Sequence, residues 1–320
     1  GLQPVQLRKA VSIRQVTADF GSVAVGHRQA RNGKLRQLFE LGFADIEYDS
    51  VLFTVSVVMR FHLFKPGIIP KNCREKKSNA DSQNRKYDNI EYYHKKNGGV
   101  SDARNYGASK VETPYFLYVD SDDYVPIDLI ETIDEYSDYD LLSFKGIKVD
   151  ENGKFLEKLE KESFNLLDGR SYLKSLLRNN SFFLVPWGYV YKTKFWKKHK
   201  FEYSRDYVLE DTSLTPIVIM NADNLVSIDY YGYYYVQTNE SITRTKSVEK
   251  IKFNTKCALY HYDYLINYVE NRDYDESFKT LFFHFFAHYL LWYGANLPDN
   301  HLKDYVKELR KRDVANRLRN

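Results

Sequence analysis

The stretch Tyr115-Phe116-Leu117-Tyr118-Val119-Asp120-Ser121-Asp122-Asp123 decides the fold class of this 320-residue chain. Its first five residues are an unbroken apolar and aromatic run, the pattern of a strand buried on both faces. Three carboxylates follow at once. In open α/β sheets ligands sit beyond the carboxyl ends of strands, so a carboxylate cluster there faces a binding crevice. Carboxylates packed so closely repel one another unless a cation compensates them. Hard oxygen ligands of this kind suit Mg²⁺ or Mn²⁺, which bind through one or two carboxylates and complete their shell with phosphate oxygens and water. An acidic turn capping the next helix is the competing reading, because Asp is a good N-cap.

Outward from that stretch, short apolar runs alternate with helical segments from about Asp88 to Tyr235, the sign of an α/β domain. Asn89–Tyr93 reads as a strand, Ser101–Lys110 as a helix and Leu141–Val149 as a further strand. Pro126 suits a first helical turn, so Ile127–Tyr136 is expected to be helical. Glu151-Asn152-Gly153 reads as a turn into Lys154–Leu159. Beyond Ile242 the strand signals stop, and Val248–Val269, Tyr274–Tyr293 and His301–Leu318 read as three helices. A boundary near residue 245 separates residues 1–245 from a helical extension over residues 246–320.

Composition narrows the function classes. Hydrophobic residues are 43% and charged residues 28%, which fits a folded globular chain rather than a disordered one. A net charge of +4 is too small to predict nucleic-acid binding. Cys73 and Cys257 are too few for a disulfide framework and lack the paired spacing of a zinc site, so both read as reduced cytosolic thiols. No signal pattern opens the sequence, and the apolar stretch Thr280–Gly294 is shorter than the roughly 20 residues that span a bilayer. The last helix carries Lys303, Lys307, Arg310, Lys311, Arg312, Arg317 and Arg319. Such a helix suits a solvated face or an anionic membrane surface, which makes the expected location cytoplasmic, with the inner membrane face as the place of any peripheral contact. Tyr at 28 copies fits either core filling or sugar-stacking surfaces.

Two further segments bear chemistry. Asn97-Gly98-Gly99-Val100-Ser101-Asp102-Ala103-Arg104-Asn105-Tyr106-Gly107 runs into a helix; its glycines allow close backbone approach to a ligand, and Arg104 is placed to pair with a phosphate. Any strand-to-helix turn uses glycine and a capping Ser or Asp in the same way. Val208-Leu209-Glu210-Asp211-Thr212 opens a helix to Met220, where a carboxylate is either an ordinary capping group or a general base within reach of an acceptor hydroxyl. His284 and His288 stand one helical turn apart, but Phe285 occupies the place of a metalloprotease Glu, so a partly buried aromatic helix is the stronger reading. His94, beside the glycine segment, reads equally as a surface residue or a donor contact.

In this order the segments resemble the family 2 glycosyltransferases of the GT-A fold, a Rossmann-like nucleotide-diphospho-sugar transferase architecture. The resemblance runs from about Ile90 to Thr243. It includes Pro186-Trp187-Gly188-Tyr189-Val190-Tyr191-Lys192, Tyr233-Tyr234-Tyr235-Val236-Gln237 and Glu240-Ser241-Ile242-Thr243. It implies that Asp120-Ser121-Asp122 is a DXD motif. Asp122 would then hold Mn²⁺ or Mg²⁺ on the diphosphate of a nucleotide-sugar donor such as a UDP-sugar, with Asp120 near the ribose or the metal and Asp123 in support. It further implies that Gly98, Gly99, Arg104 and Asn105 line the nucleotide pocket, that Asp211 is the base with Glu210 beside it, and that Trp187 lines the acceptor side. The implied reaction is an inverting single displacement onto a saccharide acceptor, lipid-linked or protein-linked, in surface polysaccharide, capsule or glycoprotein glycan synthesis. No Gln-x-x-Arg-Trp follows the base, so a processive synthase is not implied.

Residues 1–87 depart from the family pattern. Neither the usual Pro-x-Tyr-Asn-like turn nor the Asp-Asp-Gly-Ser-like strand end stands there; Val55–Met59 resembles a first strand, and Asp49 within Asp45–Ser50 is only an echo of the second motif. A non-catalytic scaffold that keeps the GT-A shell with a degenerate donor site is therefore the competing function, and a membrane-surface protein acting through residues 246–320 is a third.

Overall fold

A computed structural model describes the chain at residues 57–61 (backbone only), 93, 95–120, 122–181, 184–237 and 247–318. Strand β1 (Val57–Phe61) pairs antiparallel with β2 (Tyr115–Val119), whose last four residues are almost fully buried. Helix α1 (Gly99–Ser109) precedes β2, and α2 (Leu129–Asp134) follows the carboxylate cluster. Then come β3 (Leu141–Asp150), β4 (Phe155–Leu159), β5 (Phe164–Leu167), α3 (Gly169–Arg178), β6 (Tyr189–Lys192), α4 (Thr193–His199), α5 (Glu210–Asn221) and β7 (Leu225–Gln237). Four helices complete the described chain: α6 (Val248–Glu270), α7 (Glu276–Ala295), α8 (Asp299–Lys311) and α9 (Val314–Arg317).

The strands form one mixed sheet in the order β1-β2-β6-β3-β7-β5, with β4 hydrogen-bonded to the far half of β3. Only β3 and β7 run parallel; the other pairs are antiparallel. Aromatic packing locks β2 to β6 and α4: Phe116 stacks on Tyr191 at 5.2 Å and meets Trp196 edge-on at 5.4 Å. Lys161 is buried with no carboxylate partner among the described residues, its Nζ donating to Ser143 Oγ (3.2 Å) and the Gly188 carbonyl (3.3 Å) and lying 3.9 Å from the Tyr189 ring centroid.

Helix ends follow the capping chemistry of the sequence. Asp168 accepts from the Arg170 and Ser171 amides, Ser247 from Lys250 and Asp275 from Phe278, each supplying a partner to an otherwise orphaned amide. Gly169 permits a close approach, since a Cβ there would lie 1.6 Å from the Ile219 carbonyl oxygen. Two expected helices differ in extent. The helix expected from Ile127 starts at Leu129, because the Leu129 amide folds back in a turn onto the Pro126 carbonyl. The helix expected over His301–Leu318 breaks at Asp313, whose φ of 53° reverses the chain before α9.

Helices α6 and α7 pack their buried faces into the same continuous apolar cluster as the sheet. Their apolar faces include Leu265, Val269, Phe282, Phe286 and Leu290, so the helical extension and the sheet share one core. The junction near residue 245 falls in 238–246, outside the described residues, as do Asp49, Cys73, most of Asn89–Tyr93, His94, Ser121 and Glu240–Thr243. Among the described residues no helix is long and apolar enough to cross a membrane.

Candidate active site

The carboxyl end of β2 and the start of α5 converge on one side chain. Arg104, on α1 and 5% exposed, forks between two carboxylates: its Nη2 donates to Asp120 Oδ1 at 2.9 Å and its Nη1 to Glu210 Oε1. Burial alone would push this guanidinium's pKa down; Asp120 and Glu210 more than offset that and keep it charged. Arg104 is thus committed to protein carboxylates rather than turned as an open fork toward a phosphate. The link is long-range in sequence, 106 residues from Arg104 to Glu210.

Asn105 is engaged in the same manner. Its amide clips the backbone of Tyr203 from both sides, Nδ2 donating to the carbonyl and Oδ1 accepting from the amide, each at 2.8 Å. That clip holds the segment leading to Glu210 against α1, and the Tyr203 ring lies 5.6 Å from the Arg104 guanidinium. At the head of α1, Gly99 takes φ +85°, a left-handed conformation that favours glycine, and the Asp102 carboxylate folds back over Gly98 so closely that a Cβ would collide with it. Asp102 also pairs with Lys95.

The three acids after β2 have separate environments. Asp123 is 4% exposed and its carboxylate is used by the protein: Oδ2 accepts from the Tyr233 hydroxyl (2.7 Å) and Oδ1 from the Val236 amide (2.8 Å). Burial, followed by the charges of Asp122 and Asp120, holds its carboxyl well above the usual range. The Tyr233 hydroxyl also accepts from the Asp120 amide at 3.0 Å, tying the cluster to β7. Trp187 stacks flat on Tyr233 at 4.3 Å and is 4% exposed, so its ring backs the cluster rather than opening to solvent. Asp122 stands at the rim, exposed as a residue. The protein crowding its carboxyl and the neighbouring Asp120 charge push it upward.

That pattern fits a divalent cation. Asp123 is spoken for, Asp120 gives Arg104 one oxygen, and the Asp122 carboxyl, raised first by burial and then by the Asp120 charge, stands at the rim where a cation would compensate both acids. Among the described residues no three His, Cys, Asp or Glu side chains form a cage. A cation here would rely on Asp122 and Asp120 and on phosphate oxygens and water for the rest of its shell.

Asp211 opens α5 beside Glu210. Leu209, the residue before them, has φ +66°, strained for a branched side chain. Two groups on α6 secure that turn. His261, fully buried, faces the Val208 carbonyl through Nε2 (2.8 Å) and Ser213 Oγ through Nδ1 (2.9 Å). A carbonyl only accepts, so Nε2 carries the proton and Nδ1 accepts from Ser213; burial lowers the pKa and favours this neutral form. The Cys257 thiol sits against the Val208 backbone. On the next residue, Thr212 Oγ1 lies 2.8 Å from the Tyr289 hydroxyl of α7. Burial first, and then the adjacent Glu210 charge, raise the Asp211 carboxyl well above the ordinary range, with Arg104 pulling the other way.

His261, Cys257 and Tyr289 carry no motif in the sequence; the only available signal was polar or thiol groups on the inward stripe of a helix expected to pack. His284 and His288 meet through their Nε2 atoms at 3.1 Å on α7.

Residues 74–200 match the family model described as glycosyl transferase family 2. An uncharacterized glycosyltransferase of Rickettsia bellii (strain RML369-C) is 34% identical over 79 residues, 24% of this chain and 11% of that protein. The matched stretch thus spans about a tenth of that relative's length. Among solved structures, S. aureus TarS 1-349 in complex with UDP-GlcNAc superposes with a TM-score of 0.55 at 17% identity, covering 77% of this chain and 70% of that one. That likeness concerns the fold, the mixed α/β sheet of GT-A glycosyltransferases with helices in the C-terminal part. The family match thus covers the middle of the chain, and the likeness to TarS is one of fold.

Proposed function

We propose that this protein is a metal-dependent, inverting and non-processive glycosyltransferase that moves one sugar from a UDP-sugar to a hydroxyl of a saccharide acceptor in surface polysaccharide or glycoprotein glycan synthesis. One observation carries the reading: Arg104 joins Asp120, at the end of the central strand, to Glu210, the neighbour of Asp211. The donor-side carboxylates and the candidate base, 91 residues apart from Asp120 to Asp211 in sequence, therefore border one site. The donor class draws support from the UDP-GlcNAc bound to the TarS of like fold.

Asp122 and Asp120 would hold Mn²⁺ or Mg²⁺, which when bound supplies Lewis-acid stabilisation of the leaving diphosphate. Gly99 leaves backbone room at the head of α1 on the nucleotide side, while Gly98 is covered by the Asp102 carboxylate, which would have to move for a ligand to reach its backbone. Asp211, deprotonated, takes the proton of the acceptor hydroxyl as that oxygen attacks the anomeric carbon, and the raised affinity of its carboxyl for protons suits that task. Arg104 and Asn105 act as positioning residues, Arg104 by fixing Asp120 and Glu210 and Asn105 by fixing the segment that leads to them. Attack from the face opposite the leaving group inverts the centre in one displacement.

Thermal unfolding with UDP, GDP and CDP, each with and without Mn²⁺, tests the reading, because a ligand that binds only the folded state stabilises it by RT ln(1 + [L]/Kd). A rise in Tm that needs UDP and Mn²⁺ together, with UDP release from a UDP-sugar, is the expected result. No shift with any pair and no release from any sugar nucleotide would leave the scaffold reading in its place.

A further inference from the structure

We propose that Tyr289, Tyr293 and Trp292 on α7 form a stacking platform for the saccharide acceptor, a subsite supplied by the helical extension rather than by the sheet. The inference rests on the glycosyl-transfer reading and extends it to the acceptor.

The platform begins at the candidate base. The Tyr289 hydroxyl lies 2.8 Å from Thr212 Oγ1, one residue from Asp211. The Tyr289 and Tyr293 rings meet at 4.9 Å with their hydroxyls 3.4 Å apart, and the Tyr293 and Trp292 rings meet at 4.9 Å. Three rings therefore lead from the base outward and end on Trp292, 63% exposed, with exposed Leu291 beside it. The Asp211 charge reaches both phenols, adding to the upward push that burial gives them.

A single exposed Trp is unremarkable by itself. Its position is informative because the run of rings that ends on it starts at Thr212, the residue after Asp211, and in glycosyl transfer the partner brought to the base is the acceptor hydroxyl. A pyranose presents an apolar face of C–H groups and a rim of hydroxyls, which matches an aromatic face flanked by phenol groups. Trp187, the aromatic that the motif resemblance assigns to the acceptor, is closed off against Tyr233. An anionic membrane is the less favoured occupant, since four of the cations at the C-terminal end already face carboxylates of the protein. Lys307 pairs with Asp304, Lys311 with Glu308, Arg312 with Asp263 and Arg317 with Glu270.

The full-length chain, its Trp292→Ala and Trp292→Phe variants and the exposed-aromatic control Phe155→Ala are applied to an array of hexose and N-acetylhexosamine di- to tetrasaccharides. In parallel, they are applied to vesicles containing phosphatidylglycerol. Wild type and Phe155→Ala are expected to bind one saccharide class equally. Trp292→Ala should lose about tenfold in affinity, which is about 1.4 kcal/mol of ring contact, and Trp292→Phe should recover most of it. With that saccharide as acceptor, the loss should fall on its KM more than on kcat. Saccharide binding indifferent to Trp292→Ala, no saccharide bound by wild type, or vesicle binding that alone depends on Trp292 would each overturn the platform. Nucleotide release by wild type measures the reaction separately: release with an indifferent Trp292 sinks the platform alone. Trp292-dependent saccharide binding without release from any donor sinks the transfer reading and keeps a saccharide site.

Discussion

On the sheet side, Asp211 borders a charged knot in which Arg104 is shared between Asp120 and Glu210; on the helical side, its turn is held by neutral groups, His261 on the Val208 carbonyl and Tyr289 on Thr212. The two walls fail differently. A buried ion pair is costly to break because the surviving partner is left as an uncompensated charge. A neutral hydrogen bond in the interior costs roughly a few kcal/mol at most when one partner is removed. Charge on one side and neutrality on the other also bear on Asp211 itself. Burial and the Glu210 charge raise its carboxyl, and Arg104 restrains the rise.

The sharpest way to break this comparison is to remove the group both walls serve. Asp211→Asn is expected to lower transfer by roughly 10²- to 10⁴-fold, the range of a general base, while the fold and donor binding persist. The wild-type rate should rise with pH as the raised carboxyl loses its proton, and that limb should vanish in Asp211→Asn. A pH profile of kcat/KM for both proteins checks the sign.

Next in size is the charged wall. Arg104→Met strands Asp120 and Glu210 in a buried setting and is expected to cost about 3–5 kcal/mol in urea unfolding. The double variant Arg104→Met with Glu210→Gln should recover part of that loss, because one of the two stranded charges is gone. Equal losses in the single and double variants would show that the ion pair is not what holds the knot.

The neutral wall should give less. His261→Phe, which removes both polar contacts, is expected to cost about 1–3 kcal/mol and to reduce transfer. His261→Gln, which still offers a donor and an acceptor, should restore activity more than stability. If the two variants lose activity in step with stability alone, His261 is structural and does not aim Asp211.

A separate effect is expected away from both walls. Burial drives the Lys161 amine down to about 7, below the 10.5 of an exposed lysine. Between those values the unfolded chain binds the proton and the folded chain does not, so folding stability rises with pH across that window. Lys161→Met should flatten this slope and raise Tm at pH 7, measured by melting from pH 7 to 9.5.

Much of the fold was legible because its signals are local. The run Tyr115–Val119 announces a buried strand by its unbroken apolar character, and the structure places the strand at those residues. The helical runs expected from Val248 and from Tyr274 likewise appear as α6 and α7, close to those bounds. Helix ends were less legible where a turn competes, as at Pro126 and Asp313. The candidate site was legible in part. Asp120, Glu210 and Arg104 do come together, yet the partners of Arg104 and Asn105 are protein groups and Trp187 is buried.

The sequence by itself determined the strand that ends in carboxylates, the order of the motif segments and the change to helix after residue 245, because strand burial, capping and helical periodicity are written within a few residues of one another. Only the tertiary structure decided which charge neutralises which and which aromatics stay open, because those outcomes depend on contacts across about a hundred residues of chain. Arg104 finds Glu210 106 residues away, and Asn105 finds Tyr203 98 residues away. His261 and Tyr289 reach the base turn from helices beyond the matched family segment. No local pattern encodes such pairings; they exist because α6 and α7 bury their apolar faces in the core shared with the sheet and carry their few inward polar groups to where the α5 turn needs partners.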